Sequence, residues 1–390
     1  MTAFLFVAAV AAPFGEVVCG RRLALAAHAA GHRVAFLHTS QVAPVFEGAP
    51  FPRGVIDDVL PTLGAALRDA VRTRGFDVVV LVDALATFGV FGAAMRALIA
   101  SCGTKVVALD LWSCHETSLS CDMGDITTRL DPVIVELPSL RPAPVARPEA
   151  PGAYRGLPDL APLSAKDRVH TRASLGIGAH ERVIFTATGA WQAASKYPRQ
   201  PSMHRLAEGW PSALGLVLRR LGPVRVLHVG PTPLPLGDGY VHVPQVPPAE
   251  FHRLLGASDV TIGNNVMATS IASALALDIP SVVIGNSRPC TSLTDASELA
   301  PDVRAWLTPM LPLGTFAVLP LGLHDFVAPV LGDNPFIDAI DRCELLDPDA
   351  TARRVTALLD GDPAKRAARA SYRARIATLP SGLDRLVQLA

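Results

Sequence analysis

Short apolar runs of strand length recur along this chain, and most neighbouring pairs bracket a segment of helical composition. In the first half they are "AFLFVAA", "HRVAFLHTS", "FDVVVLVD" and "TKVVALDL"; in the second they are "ERVIFTATG", "VRVLHVG", "DVTIGNN", "SVVIGNS" and "TFAVLP". These runs are mostly apolar and show no regular polar alternation, which is the signature of strands buried on both faces of a parallel sheet. Strands alternating with helices imply βαβ units. "PVIVELP" reads as one more strand. "EVVCGRRLALAAHAAG" reads as the first helix, ending at Gly31 where a C-cap glycine belongs. "TFGVFGAAMRALIASCG" is helical, and so is the last stretch from "DPDATARRV" onward, with Asp347 or Asp349 as its N-cap.

The alternation is interrupted once. "PSLRPAPVARPEAPGAYRGLPDLAPLS" is dense in proline and has no periodicity, so it reads as an extended surface linker. A chain of 390 residues is longer than one core usually serves. The expectation is two doubly wound α/β domains, residues 1–140 and 165–365, joined by a linker at 141–164 and followed by a helical tail at 366–390.

Charge and cysteine usage exclude several function classes. Thirty-five basic residues balance 35 acidic ones, and basic residues cluster no further than short pairs such as Arg21-Arg22 and Arg353-Arg354. No global field is expected to attract nucleic acid or an anionic membrane. The N-terminal apolar run lacks a basic flank and is broken by Pro13, Gly15 and Glu16, unlike a signal peptide. Asp83 and Arg96 interrupt the other long apolar stretch, so no membrane span is expected. Six cysteines without pair spacing fit a reduced, cytoplasmic protein. The oligomeric state is not written in the sequence.

In open parallel sheets, ligands bind beyond the carboxyl ends of the strands, so site residues belong just after the apolar runs. Residues 13–16, Asp83, 110–116, 188–192, 244–246, 264–269 and 286–288 qualify, and four of these stretches carry the most chemistry. "DVTIGNNVMATSIASALALD" places Asn264 and Asn265 in a loop before a helix expected to begin near Met267, whose first N–H groups can receive an anion. "TGAWQAASKYPRQ" offers Thr188 and Gly189 to a phosphate and Lys196 and Arg199 to its charge, while Trp191 either stacks on a ligand or packs internally. "LDLWSCHETSLSCDMGD" concentrates Asp110, Cys114, His115, Glu116, Cys121 and Asp122, with His115 the group that titrates near neutrality. It reads as an acceptor or acid/base loop, or as a surface loop with free thiols. Its spacing is not a zinc pattern, and no metal is expected. Glu16 lies at the start of the first helix, either as a carboxylate complementing the helix dipole or as a general base. A fifth segment, Leu321 to Phe326, follows the last expected strand.

The chain resembles the GT-B glycosyltransferases, the two-Rossmann-domain class that uses nucleotide sugars. Three passages carry the resemblance: "APFGEVVCGRRLALAAHAAGHRVAFLHTS", "DRVHTRASLGIGAHERVIFTATGAWQ" and "VHVPQVPPAEFHRLLGASDVTIGNNVMATSIASALALDIPSVVIGNS". It implies two Rossmann-like domains facing across a cleft and a C-terminal helix packed back on the N-terminal domain. It also implies a small-molecule acceptor of the natural-product kind and a UDP- or dTDP-linked sugar, with no bound cofactor. Thr188, Gly189, Trp191, Val246, Asn264, Asn265, Met267, Thr269, Ser270 and Ser273 then fall at donor-binding positions, and Glu16, His115 and Glu116 are the catalytic candidates. Departures are visible: Asn265 stands where a His is frequent, Met267 where a Gly is, and Ser273 where many members have a ribose-binding Glu. These departures leave two other readings open. One is a different group transfer or an epimerisation on the same fold; the other is a non-catalytic ligand-binding or partner protein.

Overall fold

The computed structural model describes the chain outside residues 10–13, 57–59, 118, 123–126, 158, 190–191, 193–200, 286–291 and 310–320. It divides into two compact units: Met1–Ser120 with Thr128–Pro158 and Arg375–Ala390, and Cys121–Thr127 with Asp159–Ala374.

The first unit is built on a seven-stranded sheet. Its strands are β1 (Ala3–Ala8), β2 (Arg33–His38), β3 (Arg53–Val55), β4 (Val78–Leu81) and β5 (Lys105–Leu109), then β8 (Ser139–Ala143) and β9 (Ala153–Arg155). A separate two-stranded ribbon pairs β6 (Ser120–Asp122) with β7 (Thr127–Arg129). The sheet order is β3-β2-β1-β4-β5-β8-β9, with parallel pairing throughout. Every residue of β1 and β4 is buried, which is why those runs carry no polar alternation. The order reverses between β1 and β4, and that is the sheet's switch point.

Two readings of the sequence are corrected here. "VIVE" is a short helix, Val133–Glu136, because the preceding Asp131-Pro132 pair is a helix start: Asp131 Oδ1 accepts the Val133 N–H at 2.9 Å, and Pro132 has φ −54°. The proline-rich stretch read as a surface linker holds β8 and β9, and β8 is buried along its whole length. Pro142 is tolerated there because pairing with β5 ends at Leu109↔Leu140, so its missing N–H removes no rung. The terminal helix Gly382–Leu389 docks in this unit, with Leu386 in the same core cluster as Leu23 and Tyr154. A Cβ at Gly382 would overlap Leu23 Cδ2 and stand 2.8 Å from the Tyr154 ring.

The second unit is built on a six-stranded sheet in the order β12-β11-β10-β13-β14-β15. Its strands are β10 (Val183–Ala187), β11 (Arg225–Val229), β12 (Tyr240–Val243), β13 (Val260–Gly263), β14 (Ser281–Gly285) and β15 (Asp341–Glu344). All pairs are parallel, and the switch point lies between β10 and β13. Asp259 fixes the opposite edge: its carboxylate accepts the Val183 N–H at 2.7 Å and pairs with Arg168 and, at 2.8 Å, with Arg172. The Pro348–Leu359 helix is capped by Asp347, whose side chain accepts the Ala350 N–H. The expected strand "TFAVLP" lies outside the described residues. Among the described residues no single helix is long and apolar enough to cross a membrane, and the one helix pair of suitable composition, Ala84–Phe91 with Ala94–Cys102, bends by 118°.

Candidate functional site

In the first unit the carboxyl edge of the sheet gathers Glu16, Asp83, Asp110 and Trp112, each just after a strand or opening the helix that follows one. The first helix runs Phe14–Ala29 and puts Glu16 in its first turn. Trp112 Nε1–H donates to Glu16 Oε1 at 3.1 Å. Burial pushes the Glu16 carboxyl above its usual range, the Trp112 hydrogen bond works against that rise, and the charge of Asp83 adds to it. Asp83 is buried; it accepts the Thr87 hydroxyl at 2.7 Å and the Ala9 N–H at 3.3 Å. Glu16 is therefore the side chain here whose proton affinity is moved toward the range of a general base.

The neighbouring loop is held by ion pairs. Asp110 is 4% exposed, accepts the Cys114 N–H with both oxygens at 2.9 and 3.0 Å, and faces Arg141 Nε at 3.5 Å. Arg141 donates in turn to Pro151 O at 2.6 Å, which ties the end of β5 to the turn before β9. Glu116 lies 3.2 Å from His115 Nε2 and 3.3 Å from Arg147 Nε. Ser113 turns the chain at φ +49° into the 3-10 turn Cys114–Glu116. Burial raises the Cys114 thiol well above its usual value, so it supplies no thiolate.

In the second unit the carboxyl ends of β10, β11 and β13 surround a cavity of about 160 Å³. Thr188, Gln192, Trp210, Pro231, Leu234 and Asn264 line it. Asn264 is 5% exposed; its Oδ1 accepts Gln192 Nε2–H at 2.9 Å, and its Nδ2 is buried without a partner. The Gly189 N–H donates to Gln192 Oε1 at 2.7 Å and the Thr188 N–H to Val229 O at 3.0 Å. The backbone donors expected at Thr188 and Gly189 are thus committed within the protein, and the side chains of Thr188 and Asn264 remain. The Thr188 hydroxyl lies 2.8 Å from His228 Nε2, and His228 Nδ1 lies 2.8 Å from the Tyr240 hydroxyl.

The loop after β13 differs in detail from the sequence reading. The helix begins at Thr269, two residues later than expected, and its N-cap residue Ala268 offers no side-chain cap. Asn265 Oδ1 accepts the Met267 N–H at 2.9 Å, so this Asn satisfies its own loop. Met267 is buried, Thr269 and Ser270 are half-buried, and Ser273 is buried 3.3 Å from His252 Nε2. Val246 packs on the core under β10 and β11. Trp191, Lys196 and Arg199 lie outside the described residues, as do the side chains of Leu321 to Asp325.

Trp112, His228 and Tyr240 were not singled out by the sequence reading. His228 carried a signal: it is a polar ring in the apolar run "VRVLHVG", fully buried in β11. Trp112 carried none, since its partner lies 96 positions away.

Two separate parallel sheets, each with its own switch point and flanking helices, define the GT-B class of fold. The chain belongs to the family described as DUF6365, a family of unknown function, whose model matches residues 23–389. No curated protein sequence matches it. Among solved structures it is similar to the glycosyltransferase SnogD from Streptomyces nogalater, with a TM-score of 0.58, 15% identity and coverage of 100% of this chain and 98% of that one. The glycosyltransferase VinC in complex with dTDP matches at a TM-score of 0.57 and 16% identity, with the same coverage. Anabaena Alr3699/HepE in complex with UDP-glucose matches at 0.57 and 13%, again over 100% and 98%.

Proposed function

We propose that this protein is a nucleotide-sugar-dependent glycosyltransferase acting on a small-molecule acceptor in the cytoplasm. The observation that carries the reading is the cavity at the β10/β13 switch point, lined by Thr188 and by Asn264, whose Nδ2 is buried without a partner. A buried donor without a partner costs about 1–3 kcal/mol, and buried orphans of this kind are rare away from functional sites. Support comes from the fold, since VinC is recorded with dTDP and HepE with UDP-glucose.

In this reading Glu16 takes the proton of the acceptor hydroxyl as it attacks the anomeric carbon. Trp112 holds the carboxylate through its N–H. The nucleoside diphosphate leaves, and Thr188, Asn264 and the first N–H groups of the Thr269–Ala276 helix meet its charge. His115 is the rival base, although Glu116 already engages its Nε2. The test is calorimetric titration with UDP, dTDP and GDP: sub-millimolar binding of at least one supports the reading, and no binding at millimolar concentration overturns it.

A second reading, ligand binding without turnover, rests on Asn265, whose side chain occupies the Met267 N–H and so removes one backbone donor from the expected diphosphate loop. Nucleotide binding with no consumption of any nucleotide sugar would favour it.

A further inference from the structure

A second hollow in the second unit shares Pro211 and Pro235 with the cavity already described and runs from them between the helices Pro201–Leu218 and Pro301–Leu307. Its volume is about 290 Å³, against about 160 Å³ for the first cavity, and no residue assigned above to donor, acceptor or catalysis lines it.

Local sequence opens this hollow. Pro211 and Gly215 stand one turn apart inside the longer helix, and a helix interior disfavours both. Neither packing nor backbone demands the glycine. Apart from its chain neighbours and its own helix backbone, the one described atom within 4 Å of where a Cβ would sit is Arg219 Nη1, at 3.4 Å. Gly215 is also not among the glycines with positive φ. The missing side chain therefore leaves space beside the Arg219 guanidinium. Buried Leu216 and half-buried Trp306, which packs on the core, give that space an apolar wall.

The charges around the hollow are unequally matched. Asp302 is the only acid among its lining residues, and its two oxygens accept from Arg220 at 2.9 and 3.1 Å. Asp302 Oδ1 also accepts the Val303 N–H at 3.0 Å. Arg220 is held further by Asp349 at 2.8 Å and by Leu216 O at 2.9 Å. The neighbouring Arg219 is exposed, and among the described residues its guanidinium has no hydrogen-bond or ion-pair partner. A hollow with apolar walls and one uncompensated cation suits a ligand with one negative charge on a compact apolar body.

We propose that this hollow is a binding site for a small aromatic carboxylate. Arg219 meets the carboxylate with its planar fork, and the ring occupies the space over Gly215 against Trp306. Small-molecule pockets begin at about 300 Å³, so the body that fits is one ring or two fused rings. The proposal uses none of the residues of the nucleotide-sugar reading and stands apart from it.

The test is calorimetric titration of the full chain with three probes that share a ring and differ in charge: indole-3-acetate, neutral indole-3-acetamide and cationic tryptamine. The expected result is binding of the acetate at a Kd of about 1 mM or tighter, with the amide about tenfold weaker and tryptamine no tighter than the amide. Arg219→Gln, at an exposed position, removes the acetate's advantage and leaves the amide's affinity as it was. Arg219→Lys, which keeps the charge and loses the fork, retains part of the advantage. Gly215→Leu fills the hollow and weakens the acetate and the amide alike. Arg219 and Gly215 do not line the first cavity, so these losses assign the probe to the second. Equal affinity for acetate and amide, tighter binding of tryptamine, unchanged acetate affinity in Arg219→Gln or in Gly215→Leu, or no acetate binding at about 10 mM overturns the proposal.

Discussion

Trp112 donates its indole N–H to the Glu16 carboxylate at 3.1 Å, joining residues 96 positions apart in the chain. One hydrogen bond thereby ties the loop after β5 to the first turn of the helix after β1. It also sets the carboxylate's chemistry, because a donor to the ionised form opposes the rise that burial imposes.

A base must be unprotonated to act, so turnover falls as pH drops through the Glu16 pKa. Glu16→Gln keeps the shape and removes the base; kcat is expected to fall by about a hundredfold or more with nucleotide affinity retained. Trp112→Phe removes the donor and leaves burial in place, so the acid limb of the kcat/KM profile moves to higher pH. A profile that does not move, or full turnover in Glu16→Gln, leaves Glu16 as a carboxylate complementing the helix dipole.

His228 makes stability depend on pH. Its folded pKa is depressed from 6.5 to about 4 by burial beside His242, so the unfolded chain takes up the proton first. Its contribution is complete above about pH 6.5 and is lost as pH falls toward 4, and the shift corresponds to about 3 kcal/mol. Urea denaturation of wild type and His228→Asn at pH 7 and pH 4.5 reads it: the difference between the two proteins shrinks at the lower pH. A constant difference means that His228 does not titrate in this window.

Gly382 is the point at which the last helix enters the first unit's core. With Leu23 Cδ2 and the Tyr154 ring against the site of the absent Cβ, and both residues buried, Gly382→Ala must displace side chains that are already packed in the core. Overpacking of this kind costs about 1–3 kcal/mol, visible as a lower urea midpoint with an unchanged slope. Unchanged stability would show that the helix docks more loosely than this geometry.

The strands that bury both faces were legible in the sequence, because β1 and β4 are apolar throughout and β5 and β10 nearly so, and such runs have few other ways to fold. β8 was not, since Pro142 argues against a strand until its neighbour is known to end at Leu109. "VIVE" was misread because β-branched residues favour strands, whereas the Asp131-Pro132 cap decided for a helix. At the candidate site the positions of Glu16 and of the asparagine pair were legible, because they follow strands. What each side chain bonds to was not, because Trp112, Gln192 and His228 meet their partners only after the sheets form.

Asn264 and Asn265 are adjacent and chemically identical, yet their bonds give them opposite roles. The Asn265 side chain accepts the Met267 N–H within its own loop, in a setting where both residues are buried. Asn265→Ala leaves that N–H unsatisfied and is expected to cost about 1–3 kcal/mol of stability, with nucleotide affinity unchanged. Asn264 lines the cavity, and its Nδ2 is buried without a partner. Asn264→Ala deletes that donor and also frees Gln192, so its expected signature is about tenfold weaker UDP or dTDP binding. Its loss of stability should be smaller than that of Asn265→Ala, because an unsatisfied polar group leaves with the side chain. Thermal or urea denaturation and calorimetric titration of the two single variants separate the roles. If Asn265→Ala weakens nucleotide binding while Asn264→Ala does not, the ligand contact belongs to Asn265 and the cavity beside Thr188 is not where the phosphates bind.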